Sequence, residues 1–100
     1  MVKLTLLYGH PEDAKAFESY YATTHLPLAA AITGVRRAEF SLVSGALDGS
    51  RSPYYRIAEL YFDDLGQMET AMGAPGGLAA VADLPNFANG GVTTIVSEVR

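Results

Sequence analysis

The sequence contains no cysteine, which excludes disulfides and thiolate metal sites. Charge is scarce: 18% of residues are Asp, Glu, Lys or Arg, against about 25% in typical soluble domains. The balance is acidic, with a net charge of −4. Basic residues never cluster beyond Arg36-Arg37, so the footprint that nucleic-acid binding needs is missing. No apolar run approaches the roughly 18 residues of a membrane span, and Met1 to Tyr8 is too short for a signal-peptide core with its cleavage site. The expectation is a cytoplasmic protein that binds neither nucleic acid nor membrane. Only two histidines are present, fifteen residues apart, and no second histidine or carboxylate stands three or four positions beyond His25, so no metal centre is expected. Gly-x-Ser-x-Gly is absent, which leaves no elbow serine. Gly73-Ala-Pro-Gly-Gly77 lacks the Lys-Ser/Thr ending of a phosphate loop. No cofactor is implied.

What is present begins with one helical stripe: Phe17, Tyr21, His25, Leu28 and Ile32. Steps of four, four, three and four residues place all five on one helix face. The other four belong in a core, so His25 is aimed inward among apolar and phenolic neighbours. Burying an unpaired imidazole costs about 1–3 kcal/mol. His25 is therefore either a satisfied core histidine, bonded to a backbone carbonyl freed by Pro27, or the polar centre of a pocket.

One hundred residues without a repeat point to a single domain over residues 1–100. A chain of this size buries only about two thirds of its unfolded surface, so its core is thin. The alternation of Val2–Tyr8 predicts a buried strand. A helix is expected from about Pro11 to Ile32, kinked at Pro27, which removes a backbone donor from the partner of the Thr23 carbonyl. Gly34 is expected to end it. Residues 35–44 and 54–62 read as hairpin-paired strands. Asp63 or Asp64 caps a short helix with Leu65, Met68 and Met72 inward. A further helical piece follows over about 75–83, then a turn-rich loop and a last strand over 92–99. The order is βαββαβ, the ferredoxin-like α+β fold: a four-stranded antiparallel sheet with helices on one face.

The third strand has no solvent face. Arg56, Ala58, Leu60 and Phe62 share one side; Tyr55, Ile57, Glu59 and Tyr61 share the other. Leu60 and Phe62 suit the helices, and the opposite side needs a different cover. Together with the low charge, this predicts a homodimer in which two sheets pack face to face. Glu59 is expected to pair there with Arg37 or Arg56.

The run His10-Pro11-Glu12-Asp13, Phe17, Tyr20-Tyr21, His25-Leu26-Pro27-Leu28 and Gly34-Val35-Arg36-Arg37 resembles the EthD family. Asn86-Phe87 through Val99 resembles that family's terminal strand. The resemblance is strongest over residues 8–43 and spans nearly the whole chain. It implies a ferredoxin-like chain that pairs as a dimeric α+β barrel. For function it implies a mixed set: proteins associated with ether degradation, polyketide-tailoring dehydratases and decarboxylases, and more distant cofactor-free monooxygenases and muconolactone isomerases.

His25 is the candidate acid–base, since a neutral imidazole in a partly apolar pocket exchanges protons near pH 7. It is also the histidine of the family's His-x-Pro motif. Tyr21, on the same face, is placed to orient His25 or to polarise a ligand carbonyl, although a core tyrosine would sit there equally well. Phe17 and Leu28 on the helix and Tyr55 and Tyr61 on the third strand are the expected ligand-binding wall. Tyr20 points about 100° away from Tyr21 and is expected to flank the site or lie at an interface. His10 is expected to be exposed or capping, and Met68 and Met72 to fill core. Three readings follow: an enzyme acting on a small aromatic or polyketide-like molecule, a protein that holds such a ligand without turnover, and a dimer with no pocket at all.

Overall fold

Alternating apolar residues and a run of β-branched residues form the sheet, and capped amphipathic segments form the helices that cover it. The computed structural model describes all 100 residues. In chain order it contains β1 (Val2–Gly9), α1 (Ala14–Tyr20), a π-turn (Tyr21–His25), α2 (Leu26–Ala30), β2 (Arg37–Leu42), β3 (Tyr54–Phe62), α3 (Leu65–Gly73), α4 (Pro75–Asp83), a 3-10 turn (Leu84–Asn86) and β4 (Val92–Glu98). The four strands are antiparallel in the order β2-β3-β1-β4. This is the ferredoxin-like α+β architecture. No helix is long and apolar enough to cross a membrane.

Pairing of Val2, Leu4 and Leu6 with Phe62, Leu60 and Ala58 puts these residues on the face beneath the helices. The core they build is divided. One cluster holds Val2, Ile32, Leu60, Phe62, Met68, Ala71 and Ala80. The other holds Leu6, Tyr8, Phe17, Tyr21, Ala58, Leu84 and Phe87. The opposite face carries Thr5, Leu7, Ile57 and Tyr61, with Ile95 46% exposed. It also carries two ion pairs, Lys3–Glu59 at 2.7 Å and Arg37–Glu39 at 2.8 Å. Glu59 thus pairs with Lys3, its diagonal neighbour on β1, and not with Arg37 or Arg56. Arg37, at the matching diagonal on β2, is taken by Glu39, and Arg56 by Glu18.

The helix expected over 11–32 is three segments. The Asp13 carboxylate accepts the Ala16 N–H at 3.1 Å and starts α1 there. Past Tyr20 the ladder widens, and the Leu26 N–H reaches back five residues to the Tyr21 carbonyl. Pro27, with no N–H, follows directly. The wide turn absorbs an additional residue, so the inward stripe continues Tyr21, His25, Ala29, Ile32. Leu28 is rotated aside and half-buried. A constant 3.6-residue period cannot anticipate that slip. The Asp64 carboxylate, not that of Asp63, caps α3 by accepting the Gln67 N–H at 2.8 Å, and Leu65 is left exposed.

A second slip lies at the end of β1. Tyr8 pairs with Arg56 and Gly9 with Tyr54, so Tyr55 is the additional residue of a bulge. The bulge brings Tyr55 to the helical side. Its ring meets Phe17 edge-on at 5.3 Å, and its hydroxyl donates to Glu18 Oε2 at 3.0 Å. Here the chain also doubles back on itself. The Gly9 N–H donates to the Gly91 carbonyl at 2.9 Å. A Cβ on Gly90 would stand 2.3 Å from the His10 carbonyl oxygen. Gly90→Ala therefore forces backbone from backbone, and is expected to lower stability by about 1–3 kcal/mol in urea unfolding.

Candidate functional site

Between the two core clusters lies a cavity of about 300 Å³, at the small end of ligand pockets. Its floor is sheet: Leu4, Leu6 and Tyr8 from β1, Ala58 and Leu60 from β3, Phe40 from β2 and Thr94 from β4. Its roof is helical: Tyr21, His25, Ala29, Ile32, Met68, Met72, Ala80, Val81 and Leu84. Of these 16 residues 14 are hydrophobic. The space reaches the surface beside Phe40 and Val81, which are 39% and 49% exposed.

His25 is 5% exposed and is the titratable imidazole of that wall. Its Nδ1 lies 3.0 Å from Asp83 Oδ2. An ionised carboxylate only accepts, so Nδ1 carries the proton and Nε2 bears the lone pair. Nε2 makes no hydrogen bond, and His25 is one of the residues that line the cavity. The ring is packed against two aromatic neighbours that also touch each other. It stacks on Tyr21 at 5.7 Å with 17° between planes, and Phe87 lies 4.5 Å from it. An imidazole tethered through one nitrogen in a cavity wall can exchange a proton through the other.

Asp83 is the residue that sequence reasoning missed; it had been read only as the end of a helical piece. It is 7% exposed and its oxygens are fully engaged. Oδ1 accepts from the Tyr20 hydroxyl at 2.6 Å and from Asn86 Nδ2 at 3.0 Å, and Oδ2 from His25. Burial raises its pKa, but hydrogen bonds from Tyr20, Asn86 and His25 outweigh that and hold the carboxyl below its ordinary value. A signal was there to find: between Glu69 and Glu98, Asp83 is the sole charged residue. A lone carboxylate in so apolar a stretch has a partner elsewhere in the fold.

The other expected site residues disperse. Tyr21 lines the cavity, but its hydroxyl does not orient His25; Asp83 does. Phe17 sits behind Tyr21, stacked on it at 5.3 Å, and lines a smaller cleft with Tyr20 and Phe87. Leu28 is outside the cavity and Ala29 occupies its place. Tyr55, turned by the bulge, packs on Phe17 and Glu18 and does not line it. Tyr61 is on the opposite sheet face, its hydroxyl donating to Glu39 at 3.1 Å and its ring 5.4 Å from the Arg37 guanidinium. Tyr20 does flank the site. His10 is part-buried, with Nε2 at 2.8 Å from the Ser52 carbonyl. No group of three or more His, Asp or Glu residues is gathered to hold a metal ion.

Outside the cavity, Arg56 and Glu18 form an ion pair beside Tyr21. Arg56 Nε donates to Glu18 Oε2 at 2.8 Å, and its guanidinium lies 5.0 Å over the Tyr21 ring. The hydrogen bonds from Arg56 hold the Glu18 carboxyl below its ordinary value. Glu18 and Asp83 therefore bind protons less readily folded than unfolded. Their contribution to stability is complete above the ordinary carboxylate range and is lost as pH falls through their depressed folded values. Thermal unfolding is expected to shift downward on acidification below about pH 4, with a shallower slope in Asp83→Asn than in the native chain.

Comparison with known proteins places these features in a family. A family model described as the EthD domain matches residues 9–91. A Rhodococcus erythropolis protein, described as an uncharacterized 11.0 kDa protein in the thcB-thcC intergenic region, is 37% identical over 98 residues, covering 98% of this chain and 94% of that one. The crystal structure of an ethyl tert-butyl ether d (EthD) family protein from Bacillus halodurans superposes with a TM-score of 0.93 at 35% identity, covering 100% of this chain and 99% of that one. A Bacteroides fragilis protein described as dimeric, of unknown function and with a ferredoxin-like fold, matches at a TM-score of 0.68 and 17% identity, covering 98% and 95% of the two chains. At that identity the likeness is one of fold alone.

Proposed function

The chain belongs to the EthD family, and on that premise we propose that it is a homodimer that takes a small, flat, largely apolar molecule, aromatic or polyketide-like, into the cavity and acts on it with His25 as general acid–base. The observation that carries the reading is the tethered imidazole: Nδ1 held by Asp83 at 3.0 Å, Nε2 free, and apolar walls around it. A histidine kept only for packing has no need of a cavity beside its unbonded nitrogen. Nor does a serine or cysteine stand among the lining residues, so proton transfer fits the site better than covalent attack. The test starts from the native protein: small molecules that co-purify with it are identified by mass spectrometry and offered back. His25→Phe is expected to bind the molecule within a few-fold of the native chain and to lose turnover. Full turnover by that variant overturns the acid–base role.

The dimer has its own support. Only 17 of 100 residues are buried. The uncovered sheet face offers Thr5, Leu7, Ile57 and Ile95 between ion pairs. Two such faces packed together bury apolar surface that one chain leaves wet. Relatives of the same fold are described as dimeric. Sedimentation at micromolar concentration is expected to give twice the chain mass, with an interface of at least the ~1,200–2,000 Å² of a standard stable complex. A monomer there overturns this part.

A further inference from the structure

Two buried side-chain atoms lack any hydrogen-bond partner: the hydroxyl oxygens of Tyr8 and Tyr21. Each such orphan costs about 1–3 kcal/mol, so a native fold that keeps two of them side by side calls for an explanation. They belong together. The rings meet edge-on at 5.7 Å, and the two hydroxyls approach each other closely enough for a weak mutual interaction that falls short of a well-formed hydrogen bond. Both residues line the cavity that His25 lines. Neither oxygen is accessible to water. Burial pushes the Tyr21 hydroxyl up to about 12 and raises that of Tyr8, so both remain protonated donors at neutral pH. Their rings are well held: Tyr21 between His25 and the Arg56 guanidinium, Tyr8 against Phe17 and Phe87.

We propose that these two hydroxyls are the donor pair for one oxygen of the ligand, and that the substrate is a small cyclic ketone, or its enol, with an acidic C–H beside the carbonyl. This deepens the acid–base reading of His25 and rests on it. The charge pattern selects the ketone. The cavity has no free cation, because Arg56 lies across the Tyr21 ring and is engaged by Glu18. A carboxylate would enter unpaired. A neutral carbonyl enters without that penalty and needs donors only as negative charge develops on its oxygen, which is what dry, fixed hydroxyls supply. The ligand's apolar body fills the cavity and parts the two ring edges, so that its oxygen reaches groups that water does not.

The step balances as a proton transfer. Nε2 of His25 takes the proton from the carbon next to the carbonyl. The C–H electron pair becomes the C=C bond, and the carbonyl π pair moves to oxygen. The enolate oxygen accepts from Tyr8 and Tyr21, and the imidazolium faces the Asp83 carboxylate. Returning the proton to the same carbon exchanges hydrogen with solvent. Delivery to a different carbon isomerises the molecule.

The test uses 2-tetralone, a flat bicyclic ketone, and tetralin, the same frame without the oxygen. Loss of the 2-tetralone α-protons in D2O is followed by NMR, and tetralin affinity is measured alongside. The native protein is expected to accelerate exchange. Tyr8→Phe and Tyr21→Phe are each expected to slow it about 10–100-fold, with tetralin affinity within twofold and a thermal midpoint no lower than native, since no existing hydrogen bond is removed. Exchange within twofold of native in the double variant overturns the donor pair. So does a parallel loss of tetralin binding, which would mean that the hydroxyls merely shape the cavity. If in either case His25→Phe still abolishes exchange, the acid–base reading stands alone. If the native protein binds neither compound or accelerates nothing, or if His25→Phe exchanges as fast as native, the acid–base reading falls and the donor pair falls with it.

Discussion

Asp83→Asn is expected to slow 2-tetralone exchange by about 10²–10⁴-fold, the scale of replacing a carboxylate that fixes a catalytic histidine's tautomer. The native carboxylate accepts from Nδ1 at 3.0 Å and so keeps the lone pair on Nε2, toward the cavity. An amide in its place still accepts from the Tyr20 hydroxyl through its oxygen. Its NH2 then turns toward His25 and donates to Nδ1. The proton moves to Nε2, and the base that faced the ligand becomes a donor. On the proposed acid–base reading, Asp83 is a positioning residue that acts through His25. The readout that separates positioning from scaffolding is the imidazole itself: ¹⁵N spectra are expected to show a protonated Nδ1 in the native chain and a protonated Nε2 in the variant, with tetralin affinity unchanged. An unchanged tautomer with unchanged exchange overturns the role. Lost exchange with the native tautomer assigns Asp83 to the scaffold instead.

The elements that sequence made legible are those governed by a constant period. Val2, Leu4, Leu6 and Tyr8 alternate, so β1 and the side it buries follow from a step of two. Ala58, Leu60 and Phe62 repeat the pattern on β3, and the pairing observed between these strands is the one that both patterns require. Tyr21 lies on the inward face because no irregularity precedes it, and His25 ends the wide turn still facing inward. What was not legible begins where the period breaks. The π-turn exchanges Leu28 for Ala29 in the cavity wall, and the bulge at Tyr55 moves a tyrosine from one sheet face to the other. Neither leaves a mark in residue type alone, beyond the missing donor of Pro27. Tyr61 shows a different limit. Its face was correctly read, but a face is not a site, and the cavity formed on the other side of the sheet.

Asp83, Tyr8 and His25 show how far local reasoning reaches toward chemistry. His25 and Asp83 are 58 positions apart, and Tyr8 arrives from the central strand. Each alone has an ordinary structural explanation. The combination exists only because α4 ends over the π-turn, against the strand that carries Tyr8. A single acidic residue in an apolar stretch was the one cue that such a partner was needed, and it identifies the carboxylate without saying which histidine or hydroxyl it meets.

Phe87→Ala is expected to give the largest loss of stability in the chain, about 3–5 kcal/mol. Phe87 is 5% exposed. Its ring lies 5.8 Å from Tyr8, 5.2 Å from Phe17, 5.4 Å from Tyr20, 5.8 Å from Tyr21 and 4.5 Å from His25. Truncation therefore removes the shared member of five aromatic contacts. It also opens a void that the neighbours cannot refill, because Tyr20 is bonded to Asp83 and Tyr21 is stacked on His25. Against the roughly 5–15 kcal/mol that holds a domain of this kind together, that is a large fraction. Urea unfolding at one fixed protein concentration is the measurement, since the proposed homodimer would make the midpoint concentration-dependent. Phe87→Leu restores most of the volume without the ring, and is expected to recover more than half of the loss. It is also expected to leave His25 without its nearest aromatic neighbour, so that exchange falls even where stability returns. A midpoint for Phe87→Ala within 1 kcal/mol of native would show that the ring contributes little to the core. Native exchange in Phe87→Leu would show that the tether to Asp83 and the stack on Tyr21 suffice to aim the imidazole.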